Sequence, residues 1–309
     1  MSEPDLSIEF LNLQFRNPIV LCSGVIGTSV NLLSRASQVG VGGVIAKSCS
    51  LLPRAGHPNP VTIDWGEGII NAIGLTNPGA ETEVTMLRQA REALDPAGVP
   101  VIASIFGGTV EEYHEVARII SQANPHLIEV NISCPNVADE FGTPFSGSCE
   151  SAAEVTRAVR SATTIPISVK LAPNVPSIGR IAAAVVEAGA DAITAINTMP
   201  GMVIDAEAGK AVLSNKTGGI SGKALKPIAL RCVSEIARAV KVPIIGTGGV
   251  TTGRDAVEMI MAGATLVGVG TAVWYRGVEV LGEIAVELEA FMKKEHYSHI
   301  EEMRGLVNQ

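Results

Sequence analysis

The segment Glu129-Val130-Asn131-Ile132-Ser133-Cys134-Pro135-Asn136 places a thiol between two amides at the end of an apolar run. Leu127 to Val130 has the composition of a buried strand, and Pro135 cannot continue a strand's hydrogen-bond ladder. The polar side chains that follow therefore gather where the strand ends. A thiol between amides suits removal of a proton from a planar substrate that forms hydrogen bonds. A cysteine buried in an ordinary turn is the alternative interpretation.

Other apolar runs also end in residues that suit an anionic ligand. Lys47 and Lys170 each close such a run, and two lysines at one mouth are unfavourable without an anion or an electron-rich ring. Lysines that are salt-bridged or reach solvent are the alternative. The glycines of Thr247–Val250 and Val269–Ala272 predict a phosphate site, because backbone amides can approach an anion there. Plain tight turns would have the same composition.

Asparagines supply the third chemical signal. Asn71, Asn131, Asn136 and Asn197 follow apolar runs or lie in a glycine-rich loop. An amide offers both donors and an acceptor, so several together suit a ring with alternating C=O and N–H groups. A single asparagine in a loop is usually only a turn residue, and the set is what indicates a ligand.

Eight strand-like runs, each followed by an amphipathic helical segment, must position these residues. The runs are Pro18–Leu21, Gly43–Ala46, Val99–Ile105, Leu127–Val130, Ile165–Lys170, Ala192–Ile196, Val242–Ile245 and Thr265–Val269. This order predicts an α/β protein, a (β/α)8 TIM barrel, whose chemistry lies at the C-terminal ends of the strands. A doubly wound sheet shares the local pattern and is the alternative.

The predicted barrel carries an N-terminal hairpin over Asp5–Phe15 and three long βα connections, Ser48–Leu75, Val137–Glu150 and Asn197–Lys223. The second is rich in Gly and Ser, so we expect a lid above Cys134. Thr109 and Glu112 are predicted to form a capping box, and Thr252 is predicted to cap a later helix. No linker divides the chain, which predicts a single domain over 1–309.

Composition excludes several classes of function. The 309 residues carry a formal net charge of −8, which argues against a nucleic-acid surface. No uncharged apolar stretch is long enough to span a membrane, and no signal peptide is expected. The five cysteines show neither a CxxC pair nor zinc spacing, so we expect no metal, no iron–sulfur cluster of the chain's own, and reduced thiols in the cytoplasm.

The chain resembles the dihydroorotate dehydrogenases of class 1, and most of all the catalytic subunit of class 1B. The resemblance covers nearly the whole chain and lies in Asn71–Gly79, Asn131–Asn136, Asn197-Thr198, Asn215–Gly222 and Gly246–Gly249. It implies an FMN-containing barrel that oxidises dihydroorotate to orotate in pyrimidine biosynthesis. It further implies that Cys134 removes the C5 proton, that hydride passes from C6 to flavin N5, and that Lys170 stabilises charge on the flavin.

The resemblance also implies the ligand contacts. Those to substrate are Lys47, Asn71, Ala72, Ile73, Gly74, Leu75, Asn131, Asn136, Asn197 and Thr198. Those to flavin are Ser23, Lys47, Ser48, Ser104, Asn131, Lys170, Ile196, Gly222, Gly248, Gly249, Gly270 and Thr271. The family usually has Asn where this chain has Ser104, so one hydrogen bond is expected to be replaced, for example by a water.

Class 1B further implies a partner subunit with FAD and a 2Fe-2S cluster, which relays electrons to NAD. Two such pairs would form a heterotetramer around a homodimer of this chain, docked through an apolar patch beside the flavin. The alternatives are a fumarate-linked homodimer of class 1A and a dihydropyrimidine dehydrogenase subunit acting on uracil or thymine. A flavin-free phosphate-binding lyase or isomerase and a non-catalytic scaffold are more distant alternatives.

Overall fold

Eight parallel strands close into a barrel in the computed structural model, which describes residues 3–133 and 145–309. All eight predicted runs form barrel strands: β3 Ile19–Leu21, β4 Gly43–Ile45, β7 Val101–Ile105, β8 Leu127–Asn131, β9 Ile167–Leu171, β10 Ala192–Ala195, β15 Ile244–Thr247 and β16 Leu266–Val269. Val267 in the last strand is in register with Ile19 in the first, which closes the barrel. The (β/α)8 prediction is confirmed, and the doubly wound alternative is wrong.

Amphipathic helices surround the barrel and bury their apolar faces against its strands. The helices are α1 Val30–Gln38, α2 Ala80–Leu94, α3 Val110–Ile120, α4 Cys149–Ala162, α5 Ile178–Glu187, α6 Lys226–Ala239, α7 Gly253–Met261, α8 Ala272–Arg276 and α9 Val280–Glu295. Short 3-10 turns cover Asp95–Ala97, Ser121–Ala123, Phe145–Gly147, Lys223–Leu225, Ile300–Glu302 and Leu306–Asn308. Barrel strands and helices share one large apolar core.

Both predicted N-caps are present, but the capping box predicted at Thr109 is incomplete, and the complete box is at Thr252. Thr252 accepts a hydrogen bond from the Asp255 N–H while Asp255 accepts one from the Thr252 N–H. Thr109 accepts one from the Glu112 N–H, but the Glu112 carboxylate accepts from the Gly108 N–H instead of Thr109. Each cap satisfies N–H groups that the first helical turn leaves without partners.

The predicted N-terminal hairpin is also confirmed. Its strands are β1 Ile8–Phe10 and β2 Leu13–Phe15, paired antiparallel. Phe10 and Phe15 are buried and their rings meet edge to face. A Cβ at Gly43 would lie 2.6 Å from the Phe15 ring, so β4 begins with the one residue that leaves room for it. The hairpin thereby covers the N-terminal end of the barrel, opposite the candidate site.

Two of the long connections form structure that the sequence analysis treated only as loops. They supply β5 Thr62–Asp64, β6 Ile69–Asn71, β11 Met199–Gly201 and β14 Gly218–Ser221, which pair antiparallel in the order β11-β14-β6-β5. A two-stranded ribbon, β12 Ile204–Asp205 with β13 Lys210–Ala211, extends from the same region. Ile70, Ala72 and Leu213 form a small separate core beneath this sheet.

Within the described part of the chain, none of the helices combines the length and the apolar character that a membrane crossing requires. Of the predicted lid, the residues up to Pro144 lie outside the described residues. Its last part forms the Phe145–Gly147 turn and the start of α4, which Ser148 caps.

Candidate active site

A cavity opens at the C-terminal end of the barrel, where the sequence analysis placed the chemistry. Most of the predicted ligand contacts line it: Ser23, Lys47, Ser48, Asn71, Ile73, Gly74, Leu75, Asn131, Lys170, Ile196, Asn197, Thr198, Gly222, Gly248, Gly249, Gly270 and Thr271. They come from seven of the eight strand ends and from the added sheet. The barrel therefore brings together residues that are far apart in the sequence.

Amide groups form the first part of the site. Asn131 ends β8 and is buried, and its side-chain oxygen accepts hydrogen bonds from Ser133 (Oγ, 3.2 Å) and from Asn197 (Nδ2, 3.3 Å). Asn197 also donates to Ser133 Oγ at 3.0 Å. The Tyr113 hydroxyl donates to the Asn131 carbonyl at 2.7 Å, which fixes the strand end from outside the barrel. These bonds give the amides defined orientations before any ligand binds.

The added sheet holds Asn71 opposite that pair. Asn71 is in register with Gly219, and its side chain donates to the Gly219 carbonyl at 3.4 Å. Thr198 lies against the same glycine, where any side chain would collide with the threonine. The Thr198 N–H donates to the Asn197 side-chain oxygen at 2.7 Å. Gly219 thus joins the Asn71 loop to the Asn197-Thr198 segment, and no larger residue fits between them.

Two lysines give the cavity its positive charge. Lys170 is 7% exposed, and its Nζ lies 3.3 Å from Ser23 Oγ and 3.5 Å from Glu129 Oε1. Lys47 follows β4, and its N–H donates to the Gly27 carbonyl at 2.8 Å. Burial raises the pKa of the neighbouring Glu83 carboxyl to about 7, and the Lys47 charge opposes that rise. The cavity can therefore stabilise negative charge on a ligand.

Glycine turns after the last two strands form the third part of the site. Gly248 and Gly249 both have positive φ, at 133° and 77°, a region that favours glycine. A Cβ at Gly248 would lie 2.7 Å from Ala229 Cβ, and one at Gly249 would lie 2.7 Å from the Lys226 nitrogen. Only glycine permits this backbone path beside the cavity. Gly270 and Thr271 line the same wall.

These three parts suit a flavin that carries a phosphate group. The glycine turns offer backbone to a phosphate, Lys170 offers a cation to an electron-rich ring, and the amides face the same space. By contrast, among residues 3–133 and 145–309, no group of three or more His, Cys, Asp or Glu side chains is placed to hold a metal ion.

Two of the predicted residues that the structure describes, Ala72 and Ser104, do not line the cavity. Ala72 is fully buried under the added sheet, and Ser104 lies below the cavity floor, where its hydroxyl is 2.8 Å from Ser48 Oγ and donates to Glu129. Cys134 and Asn136 lie outside the described residues. For Ser104 this means that its hydroxyl already has protein partners.

The sequence analysis also missed residues that line or underlie the cavity. Cys22, Val25 and Ser221 line it, and Glu129 is buried beneath it. Burial raises the pKa of the Cys22 thiol, whose sulfur lies 3.0 Å from Thr247 Oγ1. The period-two alternation of β8 would have revealed Glu129, because it shares the barrel-interior face with Asn131.

Known proteins resemble this chain along almost its whole length. Residues 5–292 match the family model described as dihydroorotate dehydrogenase. The chain belongs to the dihydroorotate dehydrogenase family. This membership makes it an oxidoreductase, as the motifs predicted, and excludes both the lyase or isomerase and the non-catalytic scaffold. Dihydroorotate dehydrogenases are flavin-dependent, which agrees with the fit of the cavity.

Individual relatives carry the same family name. A protein of Methanosarcina mazei is 45% identical over 298 residues, covering 96% of this chain and 93% of its own. One of Methanothermobacter thermautotrophicus is 43% identical over 304 residues, covering 98% of both chains. One of Methanocaldococcus jannaschii is 40% identical over the full length of both. All three are named "Dihydroorotate dehydrogenase B (NAD(+)), catalytic subunit".

Proposed function

We propose that this chain is the FMN-containing catalytic subunit of an NAD-linked dihydroorotate dehydrogenase, with residues 1–309 as its single domain in the cytoplasm. It would oxidise dihydroorotate to orotate for pyrimidine biosynthesis. The observation that carries the proposal is the convergence of Asn71, Asn131 and Asn197 with Lys47 and Lys170 on one cavity whose far wall is made of glycine turns. The names of the relatives support the same reaction.

The substrate side of the site follows from its donors and acceptors. Dihydroorotate has a ring of alternating carbonyl and N–H groups and one carboxylate. The amides of Asn71, Asn131 and Asn197 match the ring edges, and Asn136 would join them. The Lys47 ammonium would pair with the carboxylate, while Ile73, Gly74 and Leu75 line the cavity wall.

Proton removal is assigned to Cys134. It lies three residues after Asn131, whose orientation is fixed by Ser133, Asn197 and Tyr113. A thiol titrates close enough to neutral pH to act as a base, and nearby cations favour its thiolate. Bound FMN would supply the hydride acceptor. Lys170, held by Ser23 and Glu129, would offer a fixed positive charge where negative charge develops.

Electrons must then leave the site, and we assign this step to a second subunit carrying FAD and a 2Fe-2S cluster. The relatives' names, which call them catalytic subunits of an NAD(+) enzyme, support such a partner. Apolar side chains near the cavity are exposed: Val25 lines it, and Trp274 and Tyr275 follow Thr271 by a few residues. They form a suitable surface on which the second subunit would dock. Two copies of this chain, paired as a homodimer, would each bind one such subunit and give a heterotetramer.

A substrate comparison tests the proposal. The purified protein, with its flavin extracted and identified, is mixed anaerobically with dihydroorotate or with 5,6-dihydrouracil, which lacks the carboxylate. We expect rapid flavin reduction by dihydroorotate only, and we expect Lys47→Met to lose most of that preference. The exposed Lys210 provides the control variant Lys210→Met, which should keep it. Faster reduction by dihydrouracil would instead identify a dihydropyrimidine dehydrogenase subunit, and an absent flavin would refute the proposal.

A further inference from the structure

Glu129 is a fully buried carboxylate under the floor of the cavity, where it contacts Lys170 without lining the cavity itself. It lies in β8 between Ile128 and Val130 and is 0% exposed. In register it is the partner of Ser104 on one side and Ser168 on the other. An ionised carboxylate is costly to bury unless charged and hydrogen-bonding partners compensate, so its partners indicate its role.

Within the described part of the chain, the hydrogen bonds to the Glu129 carboxylate all go to one of its oxygens. Oε1 accepts from Ser23 Oγ at 3.0 Å, from Ser104 Oγ at 3.1 Å and from Lys170 Nζ at 3.5 Å. Among the described residues, the buried Oε2 has no hydrogen-bond partner. Ser23 and Lys170 are themselves 3.3 Å apart, so the three groups form a closed triangle. Two of its corners, Ser23 and Lys170, line the cavity, while Glu129 does not.

This arrangement crosses the inside of the barrel. Ser23 follows the first barrel strand, whereas Glu129 and Lys170 come from the fourth and fifth, which do not pair with the first. The Ser104–Ser48 contact extends the network to the second and third strand ends. A flexible lysine chain gains a single orientation when a fixed carboxylate and a hydroxyl hold its end. The carboxylate also offsets the lysine's positive charge beneath the ligand.

We propose that Glu129 is a positioning residue, which orients Lys170 and Ser23 and sets the net charge that a bound flavin experiences. The inference rests on the proposed function, because it concerns the flavin that the cavity is proposed to bind. With the carboxylate present, the cation beneath the ring is partly neutralised. Removing the negative charge alone should therefore favour the reduced, more negative flavin over the oxidised one.

Glu129→Gln is the main variant, because it keeps the shape of the side chain and removes its charge. Ser168→Ala is the matched control: Ser168 is equally buried in the adjacent strand, and its hydroxyl contacts Thr194 at 2.8 Å without touching Lys170. The readout is the flavin midpoint potential of the holoprotein. We expect Glu129→Gln to bind reduced flavin, relative to oxidised, about tenfold more tightly than wild type, a positive shift of about 30 mV.

Ser168→Ala should leave the potential unchanged while losing stability. An unchanged potential in Glu129→Gln, or an equal shift in Ser168→Ala, would overturn the proposal and leave Glu129 a purely structural residue. If Glu129→Gln does not fold, Glu129→Asp is the alternative variant. Its shorter side chain keeps the negative charge but moves it away from Lys170. The potential should then stay near the wild-type value while flavin reduction by dihydroorotate slows about tenfold. A wild-type reduction rate in that variant would also refute the inference.

Measurements on the wild-type holoprotein distinguish a failure of the proposed function from a failure of the role assigned to Glu129. If the wild-type protein lacks flavin or is not reduced by dihydroorotate, the proposed function fails. If it is reduced normally but Glu129→Gln keeps the wild-type potential, only the role of Glu129 fails.

Discussion

Replacing Gly249 by alanine should weaken cofactor binding, because the added Cβ would displace the backbone of the turn that contains Gly249. Gly249 has φ 77°, and an added Cβ would lie 2.7 Å from both the nitrogen and the Cβ of Lys226, the first residue of α6. The positive φ costs an alanine about 1–2 kcal/mol. The contact with helix backbone adds about 1–3 kcal/mol and is relieved only if the turn moves.

A shifted turn would no longer direct its N–H group at the proposed phosphate position. A hydrogen bond to a charged group contributes about 1.5–3 kcal/mol, so the dissociation constant for FMN should rise roughly 10- to 100-fold. Gly305→Ala is the matched control, because Gly305 has φ 74° and nothing within 4 Å of its added Cβ. It should show the same conformational cost in urea unfolding but bind FMN normally.

The assay is a titration of flavin-free protein with FMN, followed by quenching of flavin fluorescence. FMN affinity of Gly249→Ala within threefold of wild type would refute the phosphate assignment. Equal weakening in Gly305→Ala would show that general destabilisation, and not the turn, is responsible.

Four further predictions follow from the same site. Cys134→Ala should still bind FMN and orotate, but stopped-flow flavin reduction by dihydroorotate should slow by about 10²–10⁴-fold; near-normal reduction would show that another group is the base. Asn197→Ala should keep FMN but bind orotate about tenfold more weakly in equilibrium titrations, and unchanged affinity would remove it from the substrate site. The folded-state pKa of Glu83 is about 7, against an ordinary value of 4.5, so wild-type stability should fall between these pH values, and Glu83→Gln should gain up to about 3 kcal/mol relative to wild type at pH 8 in urea unfolding; a pH-independent difference would contradict this. The purified chain alone should reduce its flavin with dihydroorotate but form NADH only slowly, and rapid NADH formation would remove the need for a partner subunit.

The sign of the Glu83 prediction follows from proton linkage. Burial favours the protonated carboxyl in the folded state, so that state holds a proton that the unfolded chain releases above its own pKa. The stabilising contribution is therefore complete below about pH 4.5 and lost by about pH 7. The Lys47 charge lowers the pKa of the Glu83 carboxyl, and the Glu83 carboxylate in turn raises the pKa of the Cys49 thiol.

The barrel could be predicted because its signals are local. Each strand run is apolar, each is followed by a glycine-rich or polar turn, and the helix caps at Thr109 and Thr252 lie within four residues of the groups they satisfy. Residues at the ends of parallel strands necessarily share one face of a barrel. That geometry is why Lys47, Asn131, Lys170 and Gly248 could be grouped from the sequence alone.

The added sheet could not be predicted in the same way. Asn71 and Gly219 are 148 positions apart, and β6 and β14 are short segments in connections rich in glycine. Nothing in either segment specifies the other as its partner. Pairing arises only once the barrel has brought the two connections over the same opening, which is also what holds Asn71 opposite Asn197.

The exact positions of individual side chains could not be predicted from the sequence either. Ser104 was expected beside the ligand, but its hydroxyl lies between Ser48 and Glu129 below the cavity. A short side chain in β7 reaches its buried neighbours and not the cavity. For Glu129, strand alternation indicates that the side chain points into the barrel. It does not indicate which groups the carboxylate contacts there.

The most direct test of the account is an anaerobic titration of the purified holoprotein with dihydroorotate, monitored by the flavin absorbance and by product analysis. We expect bound FMN, loss of its oxidised absorbance, and one orotate formed for each flavin reduced. A flavin that stays oxidised in the presence of excess dihydroorotate, or a protein that holds no flavin, would contradict it.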